Sequence, residues 1–201
     1  MKLFYSDRSP YVRKVMVCAH ETGLADRIEL LPSAAHPVDR DRTIIAHNPL
    51  GQVPTMILDD GTVLSDSGVI CQYIDSIGGG RLFPRDGSLR WTALVDQSLA
   101  DGLIVAAMVA RYEKAVRPAD KQWDEWHDAH IDKIRTTLAA FDERASALAD
   151  RFDIGTIALT CALSYLDFRF AHLGWRDDYP ALARWQVAVS ERPSLRATVP
   201  N

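Results

Sequence analysis

The sequence contains little cysteine and no metal-binding pattern. Its three cysteines, Cys18, Cys71 and Cys161, lie far apart and form no C-x-x-C pair. A small odd number of cysteines is typical of a reducing compartment and argues against a disulfide framework. Among the six histidines, His127 and His130 are three residues apart, but no cysteine or third histidine lies near them. We therefore expect no metal site.

An excess of charge and a long apolar run are also missing. The 23 basic and 27 acidic residues give a net charge of −4, which is too small to indicate nucleic-acid binding or a polybasic membrane anchor. The longest aliphatic run, residues 103–110, is much shorter than the roughly 20 residues of a membrane span. Asp7 and Arg8 stand where a secretion signal would be apolar. We expect a cytoplasmic protein that binds neither nucleic acid nor membrane.

Breaker residues divide the chain into two unlike halves. Of the 201 residues, 47% are hydrophobic and 25% are charged, as in a soluble globular protein. Gly78-Gly79-Gly80, followed by Pro84 and Gly87, indicates a linker. The first 80 residues hold five of the ten prolines, whereas all five tryptophans follow the linker. The predicted domains are residues 1–78 and 88–201, joined by residues 79–87.

The first half alternates strand-like and helix-like segments, judged by the spacing of its apolar residues. Asp59-Asp60-Gly61 is a hairpin signal, and Asp66 or Ser65 is expected to cap the last helix. The predicted strands are residues 2–6, 27–31, 55–58 and 62–64, and the predicted helices are residues 10–21, 38–46 and a segment that ends at residue 77. This β-α-β-α-β-β-α order predicts a small α/β domain with mixed strand directions.

The second half is predicted to be an all-α helical bundle. Its helices are expected at residues 88–117, 120–150, 156–172 and 180–191. The third of these is apolar nearly all round, which is typical of a buried central helix. Thr156 is expected to cap it. Leu159 stands three residues later, so the reciprocal half of a capping box is expected to be missing.

The first candidate site is Ser9-Pro10-Tyr11-Val12, where a strand turns into a helix. A dithiol enzyme needs cysteines at the first and fourth of these positions, because the helix N-terminus lowers the pKa of the first thiol and the second resolves the mixed disulfide. Ser9 and Val12 exclude that chemistry. A serine at this point can still donate a hydrogen bond to the thiolate of another molecule, and a plain N-cap is the alternative.

Two further segments are candidate binding elements. Pro54 closes residues 48–54 (NPLGQVP) and is a candidate cis proline. A cis bond would leave the N–H and carbonyl of Val53 free to pair with an extended peptide, whereas a trans turn is the alternative. Residues 65–68 (SDSG) stand at a helix start, which can hold an anion on free N–H groups. A carboxylate there can pair with an ammonium, so the segment suits the zwitterionic end of an amino acid or is simply a capping sequence.

These segments, in this order, resemble a cytosolic glutathione transferase of the bacterial serine type. The resemblance covers essentially the whole chain and implies a thioredoxin-like N-terminal domain followed by an all-helical C-terminal domain. The matching segments are residues 1–5 (MKLFY), 9–15 (SPYVRKV), 48–54 (NPLGQVP), 65–67 (SDS), 152–159 (FDIGTIAL), 167–170 (DFRF) and 191–194 (ERPS).

The resemblance implies a glutathione site in the first domain. Ser9 is expected to donate its hydroxyl proton to the glutathione thiolate, in preference to Tyr5. Val53, presented by a cis Pro54, is expected to pair with the cysteinyl unit. Asp66 and Ser67 are expected to hold the γ-glutamyl ammonium and carboxylate. Four residues remain open as ligands of the glycyl carboxylate: His36, Arg40, Arg42 and Gln52.

The resemblance also implies a second substrate and a partner subunit. An electrophile site is expected between the domains, lined by Ser9, Tyr11, Ala107, Met108, Arg111 and Tyr112. Met108 and Tyr112 are equally compatible with the core or with a dimer contact. A homodimer is expected, in which Asp101 would approach the γ-glutamyl group of the partner's site.

The implied function is a detoxifying glutathione S-transferase that attacks small electrophiles with glutathione as co-substrate. Peroxidase, isomerase and dehalogenase activities need the same thiolate and differ only in the second substrate. A non-catalytic binding or regulatory protein on the same fold is the alternative from another class.

Overall fold

A four-stranded mixed sheet forms the centre of the first part of the chain. In the computed structural model, which describes residues 1–200, the strands lie in the order β2-β1-β3-β4. Strand β1 pairs parallel with β2 and antiparallel with β3, and β3 pairs antiparallel with β4. The strands are β1 (Lys2–Tyr5), β2 (Glu29–Pro32), β3 (Thr55–Ile57) and β4 (Val63–Leu64).

Three helices complete this part: α1 (Pro10–Glu21), α2 (Arg42–Ile45) and α3 (Ser67–Ile77). The parallel pair β1–β2 requires a crossover connection, and α1 supplies it. The predicted β-α-β-α-β-β-α order is confirmed. Helix α2 is shorter than the predicted residues 38–46 because Asp41 caps it, its Oδ1 accepting the Thr43 N–H at 2.9 Å.

The remaining chain is helical, as predicted. The helices are α4 (Gly87–Ala115), α5 (Asp124–Asp142), α6 (Ile154–Arg169), α7 (Trp175–Asp178), α8 (Pro180–Ser190) and α9 (Pro193–Arg196). Helix α6 is buried on nearly every side, which confirms the predicted central helix.

The helix predicted over residues 120–150 is present, but its predicted bounds are wrong. Helix α5 ends at Asp142, and a separate 3-10 turn follows at Ala145–Leu148. Arg144 explains the break: its Nε donates to the Ala140 carbonyl at 3.2 Å, and its Nη1 lies 2.6 Å from the buried carboxylate of Asp96. A side-chain donor at the last carbonyls is a common way for a helix to end.

The predicted capping of α6 is also wrong. Asp153 is the N-cap, and its Oδ1 accepts the N–H groups of Gly155 at 3.0 Å and Thr156 at 3.2 Å. Thr156 Oγ1 in turn accepts the Asp153 N–H at 3.0 Å. The capping box is therefore complete and begins three residues earlier than expected, with aspartate and threonine in exchanged places.

Contacts divide the chain into two compact units. The first contains Met1–Arg90 together with the described residues from Arg192 onward, and the second is Trp91–Glu191. The last residues thus group with the first unit and not with the helical domain that was predicted to run over 88–201. Charged side chains of α1 explain this, because Arg192 and Ser194 donate to Glu21 and Arg13 donates to the Leu195 carbonyl.

Helix α4 is long and apolar enough to cross a membrane by length and composition alone, with a mean hydropathy of 1.5 in its best window. Half of that window is buried inside the protein, as in the core helix of a soluble protein. Helix α6 and the segment Ala171–Asp178, which follows it at an angle of 93°, are together also long and apolar enough to cross a membrane. The cytoplasmic location stays a prediction.

Candidate functional site

Ser9 lies at the N-cap of α1, directly after the turn that leaves β1. Its Oγ accepts the Val12 N–H at 3.3 Å, so the predicted capping role is present. Within residues 1–200 the hydroxyl proton has no acceptor, and the side chain is half-buried. Pro10 occupies the first helical position, where its missing N–H costs nothing. Ser9 therefore presents an unused donor beside a helix N-terminus that favours negative charge.

The Val53–Pro54 peptide bond is cis, which confirms the candidate cis proline and excludes the trans turn. In the described part of the chain, neither the N–H nor the carbonyl of Val53 has a hydrogen-bond partner. Val53 is half-buried and Pro54 is buried. The backbone of Val53 can therefore pair with an extended ligand.

A buried polar pair, which the sequence did not point to, fixes this loop. Asn48 Nδ2 donates to Thr55 Oγ1 at 2.8 Å, and Thr55 Oγ1 donates to the Gln52 carbonyl at 2.7 Å. Gly51 adopts a φ of +62°, and a Cβ there would lie 2.9 Å from Ile45 Cγ1. A side chain at this position is thus opposed by both backbone strain and lack of space.

Asp66 is the N-cap of α3, which settles the choice between Asp66 and Ser65. Its Oδ1 accepts the N–H groups of Gly68 at 2.8 Å and Val69 at 3.3 Å. Its Oδ2 has no partner among residues 1–200, and the side chain is exposed. The Ser65–Asp66 peptide bond is also cis.

Ser67, the first residue of α3, is only 3% exposed. Neither its hydroxyl nor its backbone N–H is hydrogen-bonded within the described residues. Together with Oδ2 of Asp66, the start of α3 offers two donors and one carboxylate oxygen that the protein itself leaves unused. This set is complementary to a carboxylate and an ammonium group.

Sheet topology brings the three segments to one edge. Ser9 follows the carboxyl end of β1, and β3 runs antiparallel to β1 with Thr55 opposite Phe4, so Val53 precedes β3 at that same end. Strand β4 is antiparallel to β3 with Leu64 opposite Met56, so Asp66 leaves the sheet there too. The structure thus places the segments of Ser9, Val53 and Asp66 at a common edge of the sheet.

Two of the four candidates for the glycyl carboxylate are engaged by the protein. Arg40 Nη2 donates to the Pro49 carbonyl at 2.6 Å and thereby lies against the loop that leads to Val53. His36 Nδ1 accepts the backbone N–H groups of residues 38 and 39 in a turn. The remaining two, Arg42 and Gln52, have exposed side chains.

Tyr5 and Tyr11 lie close to Ser9 in sequence. Burial, followed by the charge of Asp7, raises the pKa of the Tyr5 phenol, so Tyr5 is a hydrogen-bond donor near neutral pH. The ammonium of Lys14 lies 5.6 Å from the centre of the Tyr11 ring and is fully buried. No local feature of the sequence indicates that this lysine is buried.

The predicted electrophile-site residues of the second half lie on α4: Met108, Arg111 and Tyr112 are half-buried, whereas Ala107 is buried. The guanidinium of Arg111 lies 5.7 Å from the centre of the Tyr112 ring. Burial raises the pKa of Tyr165 on α6, and the charge of Arg111 opposes that shift. Tyr165 therefore adjoins this group and was not predicted.

Neither a metal cluster nor a disulfide is found in the part of the chain that the structure describes. No group of three or more histidine, cysteine, aspartate or glutamate side chains is placed to hold a metal ion. The three cysteines are buried and not bridged to one another.

Comparison with known sequences points to one family. Residues 8–77 match the family model described as "Glutathione S-transferase, N-terminal domain", and residues 124–185 match "Glutathione S-transferase, C-terminal domain". The GST-like protein YibF of Escherichia coli (strain K12) is 32% identical to the chain, and the match covers 100% of this chain and 98% of YibF.

Two solved structures of a glutathione transferase family member from Pseudomonas fluorescens Pf-5 are also similar. The one with bound glutathione has a TM-score of 0.97 at 48% identity and covers 100% of this chain and 98% of that one. The other, with bound S-(propanoic acid)-glutathione, has a TM-score of 0.92 at 47% identity, with complete coverage of both chains.

The fold and the similar structures together define the class of protein. A small mixed sheet flanked by helices and followed by a mostly helical part is the thioredoxin-like domain plus helical domain that was predicted. The chain belongs to the glutathione S-transferase family. The predicted family and fold are confirmed, whereas the roles of the individual site residues stay predictions.

Proposed function

We propose that the protein is a glutathione S-transferase of the serine type, which binds glutathione at the sheet edge and activates its thiolate for attack on small electrophiles. One observation carries this proposal: Ser9, Val53 and Ser67 all present unused hydrogen-bonding groups at a common edge. The glutathione bound to a relative 48% identical to this chain supports it.

The role of Ser9 is to stabilise an anion that arrives with the ligand. A free thiol has a pKa of about 8.5, so little of it is ionised at neutral pH. A charge-assisted hydrogen bond contributes about 1.5–3 kcal/mol. This corresponds to a fall of roughly one to two units in the pKa of the glutathione thiol. The α1 N-terminus adds to the effect, and the thiolate becomes the predominant form near neutrality.

The remaining groups orient the tripeptide. The N–H and carbonyl of Val53 pair with the cysteinyl unit as two strands do. The Ser67 hydroxyl and N–H hold the γ-glutamyl carboxylate, while Oδ2 of Asp66 pairs with the ammonium. We assign the glycyl carboxylate to Arg40, because its guanidinium is anchored on the Pro49 carbonyl beside the Val53 loop.

The electrophile is assigned to the α4 residues Met108, Arg111 and Tyr112. A relative 47% identical to this chain holds a glutathione conjugate that carries a carboxylate, S-(propanoic acid)-glutathione. Arg111 is the cation of this group and would pair with such a carboxylate. Anionic electrophiles are therefore the substrates that this assignment favours, in keeping with a detoxifying role.

A homodimer is part of the proposal. Helix α4 exposes an apolar stripe at helical spacing: Trp91 (66% exposed), Val95 (54%) and Leu99 (40%). Exposed apolar residues aligned on one face mark an interaction surface. Sedimentation velocity on the whole chain is expected to give a dimer, and a Leu99→Glu variant is expected to shift it toward the monomer.

Substitution of Ser9 tests the catalytic role. In Ser9→Ala, kcat/KM for a chloronitrobenzene at neutral pH should fall about 10- to 100-fold, the rate equivalent of one charge-assisted hydrogen bond. Glutathione binding by isothermal titration should be retained, and the thiolate absorbance of bound glutathione should appear at higher pH. An unchanged rate would exclude a catalytic role for Ser9.

A matched control separates catalysis from helix capping. Ser9→Gly also lacks the hydroxyl, but glycine is tolerated at an N-cap far better than alanine. Both variants should lose the same activity, whereas only Ser9→Ala should lose measurable stability. Glutathione bound without turnover of any electrophile or hydroperoxide would instead support a non-catalytic binding protein.

A further inference from the structure

A cavity of mixed polar and apolar lining lies in the first unit, on the α1 face that carries Arg13 and His20. Its volume is about 200 Å³; Tyr5, Asp7, Arg13, His20 and Thr198 are among its polar residues, and Met16, Leu30 and Ala197 are apolar. None of the proposed glutathione ligands lines it. Because a water molecule occupies about 30 Å³ of liquid, the cavity has room for a small ligand.

Arg13 is the unusual member of this lining. It is only 6% exposed, and two of its nitrogens hold the end of the chain: Nη2 donates to the Leu195 carbonyl at 3.2 Å and Nε to Thr198 Oγ1 at 3.4 Å. The third nitrogen, Nη1, is buried and has no acceptor within residues 1–200. A buried cationic donor without an acceptor is costly and points to a missing water or ion.

Among residues 1–200, the nearby carboxylates do not fill this role. Glu21, on the same helix, accepts from Arg192 and Ser194. Asp7 lines the cavity with an exposed side chain and forms no ion pair in the described part of the chain. The guanidinium of Arg13 therefore has unused capacity, and its planar fork matches the geometry of carboxylate and phosphate oxygens.

We propose that this cavity binds a small oxyanion, a carboxylate or a phosphate, through Arg13. The ligand pairs with the charge of the Arg13 guanidinium, and Thr198 and His20, which also line the cavity, provide further polar contacts. This inference does not depend on the glutathione site, since the two sets of residues are separate.

The test is a titration of the full chain with acetate and, separately, with inorganic phosphate, followed by heteronuclear NMR at constant ionic strength kept with chloride. Saturable shifts are expected at the Arg13 Nε–H and the Thr198 amide, and they should persist with glutathione at saturation. The anion with the lower Kd identifies the source as carboxylate or phosphate. Shifts that never saturate, or that glutathione abolishes, would overturn the proposal.

Four variants sharpen the result. Arg13→Gln should weaken binding at least about tenfold, and Arg13→Lys less, because the charge remains.

Arg13 also anchors Leu195, so a second test avoids that contact: Asp7→Asn removes a repulsive charge and should tighten binding about two- to fivefold. Arg8→Gln is the matched control, because Arg8 is exposed and does not line the cavity. Loosened or unchanged binding in Asp7→Asn, or an equal loss in Arg8→Gln, would contradict the site.

Discussion

Two aspartates cap helices with the same geometry but in different surroundings. Asp66 at α3 and Asp153 at α6 each accept two backbone N–H groups through Oδ1. Oδ2 of Asp66 is unpaired within residues 1–200, and the side chain is exposed. Asp153 is 7% exposed, and its Oδ2 accepts Arg151 Nε at 2.9 Å. The same local motif thus leaves one carboxylate oxygen open in one unit and joins an ionic cluster in the other.

The two units differ in how many polar groups have partners among the neighbouring residues. In the second unit, Asp96 is 1% exposed and pairs with both Arg144 and Arg151, and Arg151 joins it to Asp153. At the sheet edge of the first unit, Ser9 and Ser67 keep hydrogen-bonding groups without partners in the described part of the chain. Polar groups that pair with one another stabilise the fold, and those left open at an edge are available to a ligand.

The largest effect is expected from opening the ionic cluster. Asp96→Ala leaves two guanidiniums without their shared carboxylate and should cost about 3–5 kcal/mol in the free energy of unfolding, measured by urea denaturation. Asp124→Ala removes a carboxylate that pairs with Lys114 at the surface, and its effect should be far smaller. Similar costs for the two variants would show that the cluster does not carry the stability of this unit.

The second prediction applies one substitution to both caps. Asparagine caps a helix about as well as aspartate, so Asp→Asn removes only the charge. Asp153→Asn should lower the free energy of unfolding by about 1.5–3 kcal/mol, because the charge-assisted bonds from Arg151 are lost. Asp66→Asn should leave stability within about 0.5 kcal/mol and raise the Kd for glutathione about fivefold.

Urea denaturation and isothermal titration of the same two preparations measure the contrast. A loss of stability in Asp66→Asn with unchanged glutathione affinity would reverse the comparison and make Asp66 a purely structural cap.

Local spacing predicted most of the fold. Helix α1 begins and ends at the predicted residues, Pro10 and Glu21, because a serine-proline start and an apolar period of three to four agree there. The break at the end of α5 could not be predicted, since it depends on Arg144 reaching Asp96, 48 residues away in the sequence. The grouping of the last residues with the first unit could not be predicted either, because it depends on contacts with Glu21 and Arg13, which are far away in the sequence.

The individual site residues carried little information about function. The prediction of the site depended on the order of the three segments along the chain. Ser9, Val53 and Asp66 each have an ordinary capping or turn interpretation, and only the antiparallel register of β1, β3 and β4 brings their segments to one edge. The burial of Lys14 and the half-satisfied guanidinium of Arg13 had no local signal, because charged residues on a helix are usually exposed.

The smallest expected effect is a pH dependence confined to the first unit. Glu21 is half-buried against Arg192 and Ser194. Its partial burial raises its pKa, but the hydrogen bonds from those two residues outweigh this effect and leave the pKa below the ordinary value of 4.5. A carboxyl whose pKa is lower in the folded state stabilises the fold fully above its unfolded pKa, and that contribution is lost as the pH falls through the folded pKa. Glu21→Gln should therefore unfold at a lower temperature than the wild type at neutral pH.

That difference should shrink once the pH falls below about 4.5, because the wild-type carboxyl is then protonated as well. A thermal-unfolding series across pH measures it, with hydrogen exchange at the Leu195 amide as a local readout of the end of the chain. Asp26→Asn is the matched control, since Asp26 is exposed and forms no ion pair among residues 1–200. A gap between wild type and Glu21→Gln that stays constant from neutral to acidic pH would mean that the chain end is held by packing and not by the charge of Glu21.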